Sequence, residues 1–278
     1  MILPVEYKIQ GTPKTAVFIL VYQNATMAKA AIQSFQETVK IPNVELILVH
    51  HIRPSEHEKA ENVAKLITSL PYRNLVIKSD KFNYPRLMNE AISRFRGDFN
   101  FFIHMNDDIV LWPKAIEQMI AVATSDEKIG IVGAKLMFPP KRGDLTSPAS
   151  WIENIHPMQH FGVKINKETL TAHHVNAYKP GNSPDCQTVK DVDAVTFALA
   201  LVRREIFDTM AMDEQFASDY NDIAYCLEAH KMGRRVVVCP SAMAFHRQSA
   251  TRKLYGLNSV QSDYILFAQR YGEFIRGR

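Results

Sequence analysis

Four short apolar runs rich in β-branched and aromatic residues, TAVFILVY (15–22), VELILVHH (44–51), NLVIK (74–78) and DFNFFIHM (98–105), alternate with stretches whose apolar positions recur at helical spacing. The spacing predicts helices over 25–39, 55–70 and 85–95. The second opens on Ser55 with Glu58 three residues later, a capping-box pattern. Strands that are apolar along their whole length must be covered on both faces. The alternation therefore dictates a mostly parallel sheet flanked by helices, an α/β fold. In such sheets ligands collect at the carboxyl ends of the strands.

The rhythm continues through a helix over 113–124 and a strand, IGIVGAKLMF (129–138), and then breaks. Residues 139–190 are rich in Pro, Gly, Asn, His and Lys, with one short strand expected near HFGVKI (160–165). Long irregular segments in compact proteins are commonly functional. Regular structure returns with DAVTFALALVRREIF (193–207), a helix over 220–233 that ends on Gly233, a strand over 234–239 and a helical pattern over 259–276. No internal repeat or low-complexity linker is present, so a single domain is the simpler reading.

With 46% hydrophobic and 22% charged residues in 278, the chain can bury a sizeable core. A formal charge of +4 suits an anionic ligand such as a nucleotide and is too weak to argue for a nucleic-acid partner. Arg247, Arg252, Lys253, Arg270, Arg276 and Arg278 concentrate positive charge towards the end. Three cysteines, Cys186, Cys226 and Cys239, without CxxC spacing argue against a disulfide framework or a zinc knuckle, and make a reducing compartment the default. The first ten residues lack the pattern of a secretory signal, and no run of about 18 apolar residues occurs, so the expectation is a cytoplasmic protein, at most peripheral at a membrane.

The stretch HMNDDIVLWP (104–113) places Asp107 and Asp108 side by side at the end of a buried strand. Adjacent anions repel, and the pair is most comfortable opposite a cation or a run of hydrogen-bond donors. The plain alternative is that Asn106 to Asp108 caps a helix beginning near Trp112 and Pro113. Neither GxGxxG nor GxxxxGK(S/T) occurs, so a phosphate-bearing ligand would need a metal or basic side chains. Asn221 and Asp222 open a predicted helix, and His246 follows a predicted strand. Carboxylates with one imidazole suit Mn²⁺ or Mg²⁺ with open positions better than structural zinc. Each also has a bland reading: Asp222 as an acid favoured at a helix start, and His246 as a packed or surface histidine.

In their order, these features resemble an inverting family 2 glycosyltransferase of the GT-A fold, in particular the rhamnosyltransferase-like branch that builds bacterial surface polysaccharides. VFILVYQNA (17–25) is similar to the first nucleotide-binding strand, FNYPRLMNEAI (82–92) to a helix start of that branch, and FFIHMNDDIVLWP (101–113) to the strand ending in a DXD-type motif. IGIVGAKLMFP (129–139) is similar to the following strand, and 194–252 to the acceptor half. The resemblance implies a GT-A domain over 1–278, with a nucleotide-sugar-binding half (15–138), an acceptor half (139–255) and a C-terminal helix (256–278).

The resemblance also implies roles. Asp108 would bind the Mn²⁺ or Mg²⁺ that bridges the donor phosphates, with His246 near the metal, and Asp107 would hold the ribose or support that site. Tyr22, Asn24, His50 and Asn83 would lie on the nucleotide-sugar side of the cleft, as would Asn89, which could equally pin its helix start. Arg252 and Lys253 would lie in a loop that closes over the diphosphate. Asp222 matches the general base that takes the proton of the attacking acceptor hydroxyl, and Asp193 would hold the acceptor. The implied donor is a nucleotide diphosphate sugar, with UDP-sugars favoured, and the implied acceptor is a glycan or lipid-linked sugar.

The chain departs from the family pattern in places. His50 and His51 stand where relatives often carry an Asp that contacts the nucleobase; an imidazole accepts from a uracil N3–H only when neutral and correctly oriented. Ala224 replaces a second acid after the base, Pro85 replaces a Ser, and the turn MAMDE (210–214) has lost the glycines of GGFDE while keeping Asp213 and Glu214. Loss of the second acid could retune the acceptor site, or mark a non-catalytic nucleotide-sugar or glycan-binding module of the same fold. A modified base in viral DNA is a less favoured acceptor. A nucleotidyltransferase is disfavoured, because Gln23, Asn24, Ala25 and Thr26 replace the Gly-rich basic loop expected after its first strand.

Overall fold

The computed structural model describes residues 6–11, 13–97, 99–139, 156–217, 219–247 and 260–278. The first half alternates as the periodicity predicts: β1 (Thr15–Val21), α1 (Ala25–Thr38), β2 (Val44–Ile52), α2 (His57–Thr68), β3 (Arg73–Lys78), α3 (Tyr84–Phe95) and β4 (Phe101–Asn106). A 3-10 turn over Pro54–Glu56 takes the place of the first helical residues expected before α2. β1 pairs in parallel with both β2 and β4, and β2 with β3, so these carboxyl ends share one edge.

The second half holds the corrections. A short strand, β5 (Ile109–Leu111), follows β4 directly, and α4 (Ala115–Ser125) is preceded by Lys114 in the left-handed region with no side-chain cap. Asp107 and Asp108 therefore occupy a turn between two strands and do not cap α4. After β6 (Ile129–Met137), the single strand expected near 160–165 is two, β7 (Met158–His160) and β8 (Val163–Ile165). β8 forms a hairpin with β9 (Ala172–His174). Gly162 makes the bend between β7 and β8 at φ +87°, a conformation that L side chains rarely adopt. β10 (Lys190–Asp191) and β11 (Leu199–Arg203) follow, then α5 (Arg204–Thr209) and α6 (Asn221–Lys231). The strand expected to end at Cys239 continues as β12 (Arg235–His246), and α7 (Val260–Gly277) closes the fold.

Among the described residues the main sheet runs β10-β12-β6-β11-β4-β1-β2-β3, with β5 on β12 and β7 on β6. β11 is antiparallel to both β4 and β6, whereas β6 and β12 are parallel. Alternation along β1 shows how the sheet separates two cores: Ala16, Phe18 and Leu20 pack with α3, α5, α6 and α7, and Val17, Ile19 and Val21 pack with α1, α2 and α4. A lysine is among the polar groups that enter this interior. Lys135 on β6 is buried, and its Nζ donates to the Gly181 carbonyl at 3.1 Å, tying residues 156–190 to the sheet. Burial lowers its pKa to about 8.

Candidate active site

The parallel register of β1 and β4 brings the residue after each strand together, and the Tyr22 N–H donates to Asp107 Oδ2 at 3.3 Å. β5 then pairs antiparallel with the end of β12, opposing Ile109 to His246. That ladder sets Asp108 Oδ1 3.3 Å from His246 Nε2, and the Arg247 N–H donates to the Asp108 carbonyl. From the other side, β11 lies against β4, and the Asn106 N–H donates to Ala198 O. This places Phe197 beside the start of α6, where its N–H donates to Asp222 Oδ2 at 3.3 Å and the Ile223 N–H to Asp222 Oδ1 at 2.8 Å. Tyr22, Asp107, Asp108, His246 and Asp222 line one cavity of about 430 Å³.

Burial raises two of the acids in this cavity. Burial pushes the Asp107 carboxyl up to about 7, the charge of Asp108 adds to the rise, and the Tyr22 hydrogen bond opposes it. Asp222 is also raised by burial, against the pull of the Ile223 and Phe197 N–H groups. Raised carboxyl pKa values in a cleft suit groups that gain or lose protons during a reaction.

The residues fit a divalent cation. Gln159 donates its amide N–H to the His246 carbonyl at 3.4 Å and accepts from His246 Nδ1 at 2.6 Å. Gln159 Oε1 can only accept, so Nδ1 carries a proton, and Nε2 faces Asp108 Oδ1. That oxygen is buried and has no hydrogen-bond partner. A ring nitrogen 3.3 Å from a buried carboxylate oxygen that lacks a hydrogen-bond partner is an arrangement that a cation bound to both would satisfy. Among the described residues no group of three or more His, Cys, Asp or Glu side chains is placed to hold a metal ion, so protein ligands alone would leave most positions open. Open positions of this kind suit a metal shared with substrate phosphates.

The other expected site residues lie elsewhere. Asn24 caps α1, accepting from the Met27 N–H at 3.0 Å. Asn83 caps α3, accepting from the Arg86 N–H at 3.0 Å, and donates to Glu214 O. Asn89 lies within α3 rather than at its start, and its amide brackets Met212 through both N–H and C=O. His50 is fully buried; neither ring nitrogen has a partner, and burial followed by the nearby His51 lowers it to about 4, which keeps it neutral. Asp193 accepts from the Ile165 N–H at 3.0 Å and supports β8. None of these five lines the cavity. Arg252 and Lys253 lie outside the described residues.

Sequence reasoning missed Tyr84, His174 and Thr196, which also line the cavity. Tyr84 shares a 3.1 Å hydrogen bond with buried His104, and burial together with the Asp222 charge raises its pKa. Its signal was present as the aromatic of the FNYP stretch. His51 rather than His50 reaches the aromatic wall: it stacks on Tyr22 with centroids 5.6 Å apart and packs near Phe82.

Solved structures share this architecture. GalNAc-T7, in a crystal structure with UDP, GalNAc and Mn²⁺, superposes with a TM-score of 0.67 at 11% identity, covering 94% of this chain and 48% of that one. The mannosyltransferase PcManGT of Pyrobaculum calidifontis, in complex with GDP-Man and Mn²⁺, gives 0.60 at 12% identity, covering 99% and 71%. Sheet and site together define a GT-A glycosyltransferase fold. The family model described as glycosyltransferase like family 2 matches residues 7–258, and the chain belongs to that family. The O-antigen biosynthesis protein RfbC of Myxococcus xanthus is 25% identical over 273 residues, which span 96% of this chain and 20% of the relative. The uncharacterized protein y4gI of Sinorhizobium fredii is 27% identical over 261 residues, 90% of this chain and 26% of the relative. The chain thus spans about a fifth to a quarter of these relatives.

Proposed function

We propose that the protein is a metal-dependent, inverting glycosyltransferase that moves a sugar from a nucleotide diphosphate sugar, a UDP-sugar being favoured, to an acceptor hydroxyl in polysaccharide or glycoconjugate synthesis. The observation that carries this reading is the shared cavity, with a carboxylate–imidazole pair, Asp108 and His246, and a separate carboxylate, Asp222. The two relatives in complex with Mn²⁺ bear UDP and GDP-Man, which supports a donor of this class.

Asp108 and His246 would hold Mn²⁺ or Mg²⁺, which supplies electrostatic stabilisation to the departing nucleoside diphosphate. Asp107, fixed by the Tyr22 N–H, supports that end of the cavity. Asp222 takes the proton of the acceptor hydroxyl as its oxygen attacks C1 of the donor sugar from the face opposite the leaving group. The bond to the diphosphate breaks as the new glycosidic bond forms, so no covalent enzyme intermediate is required. The raised pKa of Asp222 suits this role, because a stronger base accepts the hydroxyl proton more readily. In this reading 1–278 is one domain, with donor binding in 15–138 and acceptor binding in 139–255.

Asp222→Asn tests the assignment. It is expected to bind donor normally and to lose transfer by about two or more orders of magnitude. Transfer at the wild-type rate would remove Asp222 from the base role.

A further inference from the structure

The hairpin of β8 and β9 brings a histidine into the cavity that the reaction described above does not use. Ala172 and His174, two residues apart on β9, both line it. Behind His174 stands buried His160, with the two Nδ1 atoms 2.7 Å apart. The Thr196 backbone N–H points at the other nitrogen of His160, Nε2, at 3.4 Å.

This chain of contacts settles the protons. A backbone N–H can only donate, so His160 Nε2 must be the acceptor and His160 Nδ1 must carry the proton. That proton is donated to His174 Nδ1, which leaves the His174 proton on Nε2. Burial of His160 holds its pKa well below the ordinary value and keeps that ring neutral, and partial desolvation lowers the more exposed His174 as well. His174 thus presents one fixed N–H donor, close enough to Asp222 to feel its charge.

A base alone does not orient an acceptor, because a carboxylate accepts from any hydroxyl within reach. We infer that His174 is the acceptor-orienting residue: its Nε2–H donates to an oxygen of a sugar acceptor while Asp222 receives the proton of that sugar's reacting hydroxyl. His160 is its positioning residue. The acceptor class follows from the pairing of a fixed donor with a fixed base, which a polyhydroxyl ring satisfies and a lone hydroxyl does not. The inference rests on the glycosyltransferase reading and deepens it.

The experiment compares wild type, His174→Phe and His174→Gln. Nucleoside diphosphate release is measured from a panel of UDP-, GDP- and dTDP-linked sugars with Mn²⁺, with and without p-nitrophenyl glycosides as acceptor probes. His174→Phe is expected to raise the acceptor KM about tenfold, the loss of about one hydrogen bond, with a smaller change in the KM for donor. His174→Gln, which restores an N–H donor, is expected to recover most of the loss. An unchanged acceptor KM in His174→Phe overturns the assignment and leaves the glycosyltransferase reading standing. Donor hydrolysis by wild type without transfer to any glycoside overturns the sugar acceptor. No release from any donor overturns the glycosyltransferase reading, and this inference with it. Should His174→Phe fail to fold, the ¹⁵N spectrum of the wild-type histidines decides: an Nε2–H tautomer at His174 supports the relay, and an Nδ1–H tautomer overturns it.

Discussion

Asp107 and Asp108 are neighbours in sequence, and the fold turns them to different partners. Asp107 accepts from a backbone N–H, whereas Asp108 Oδ1 lacks a hydrogen-bond partner and lies 3.3 Å from His246 Nε2. Asp108→Ala is therefore expected to abolish the Mn²⁺ dependence of donor affinity; titration calorimetry with and without EDTA measures it, and an unchanged dependence would remove Asp108 from the metal site. Asp222 carries a pH consequence. In its proposed role it is a base only when ionised, and burial raises its pKa above the ordinary carboxylate value of about 3.9. The acid limb of kcat should accordingly lie above that value, with activity rising as pH rises through it. A kcat profile flat down to pH of about 4 would contradict the assignment. The residues legible before the fold was known were those whose chemistry is written locally: adjacent acids at a strand end, an acid at a helix start, a histidine after a strand. Gln159 and His174 were not legible, because each acts through a partner distant in sequence, His246 and His160, within a stretch lacking periodicity.

At the scale of elements, α7 steadies the segment that carries Asp222, the proposed base. The Asp219 N–H donates to buried Asp263 Oδ2 at 3.0 Å, and Tyr220, left-handed at φ 58°, packs on Phe267 with centroids 4.7 Å apart. Phe267 is fully buried. Phe267→Ala should cost about 3–5 kcal/mol in denaturant unfolding and lower kcat more than donor affinity, since it loosens the turn before Asp222. The hairpin has its own test. A Cβ at Gly162 would clash with Val192 as well as strain the backbone, so Gly162→Ala should destabilise by about 1–3 kcal/mol. A shift in the denaturation midpoint measures it. Strands β1 to β4 were legible because each carries a short run of β-branched or aromatic residues set off by helical patterns or turns. β5 and β9 escaped because three residues show no period, and their pairing partners, β12 and β8, supply the hydrogen bonds that make them strands.

Across the whole molecule, one sheet organises both halves of the cavity. The parallel strands β1 and β4 deliver Asp107, and the antiparallel strand β11 between β4 and β6 brings the base segment to the same edge. The expectation of a mostly parallel sheet holds for β1 to β4 and for β6 with β12, while β11 runs against its neighbours for a reason its apolar sequence does not carry: direction follows from the path of the preceding chain. No helix among the described residues is long and apolar enough to cross a membrane. The central claim is a cation-dependent donor site at that edge. Thermal unfolding against UDP-, GDP-, dTDP- and CMP-linked sugars, each with Mn²⁺ and with EDTA, tests it most directly. Donor at about 100 times Kd adds about 2.7 kcal/mol to the folded state, so one nucleotide sugar should raise Tm by several degrees with Mn²⁺ and not with EDTA. No shift with any donor, or an equal shift in EDTA, would contradict the account.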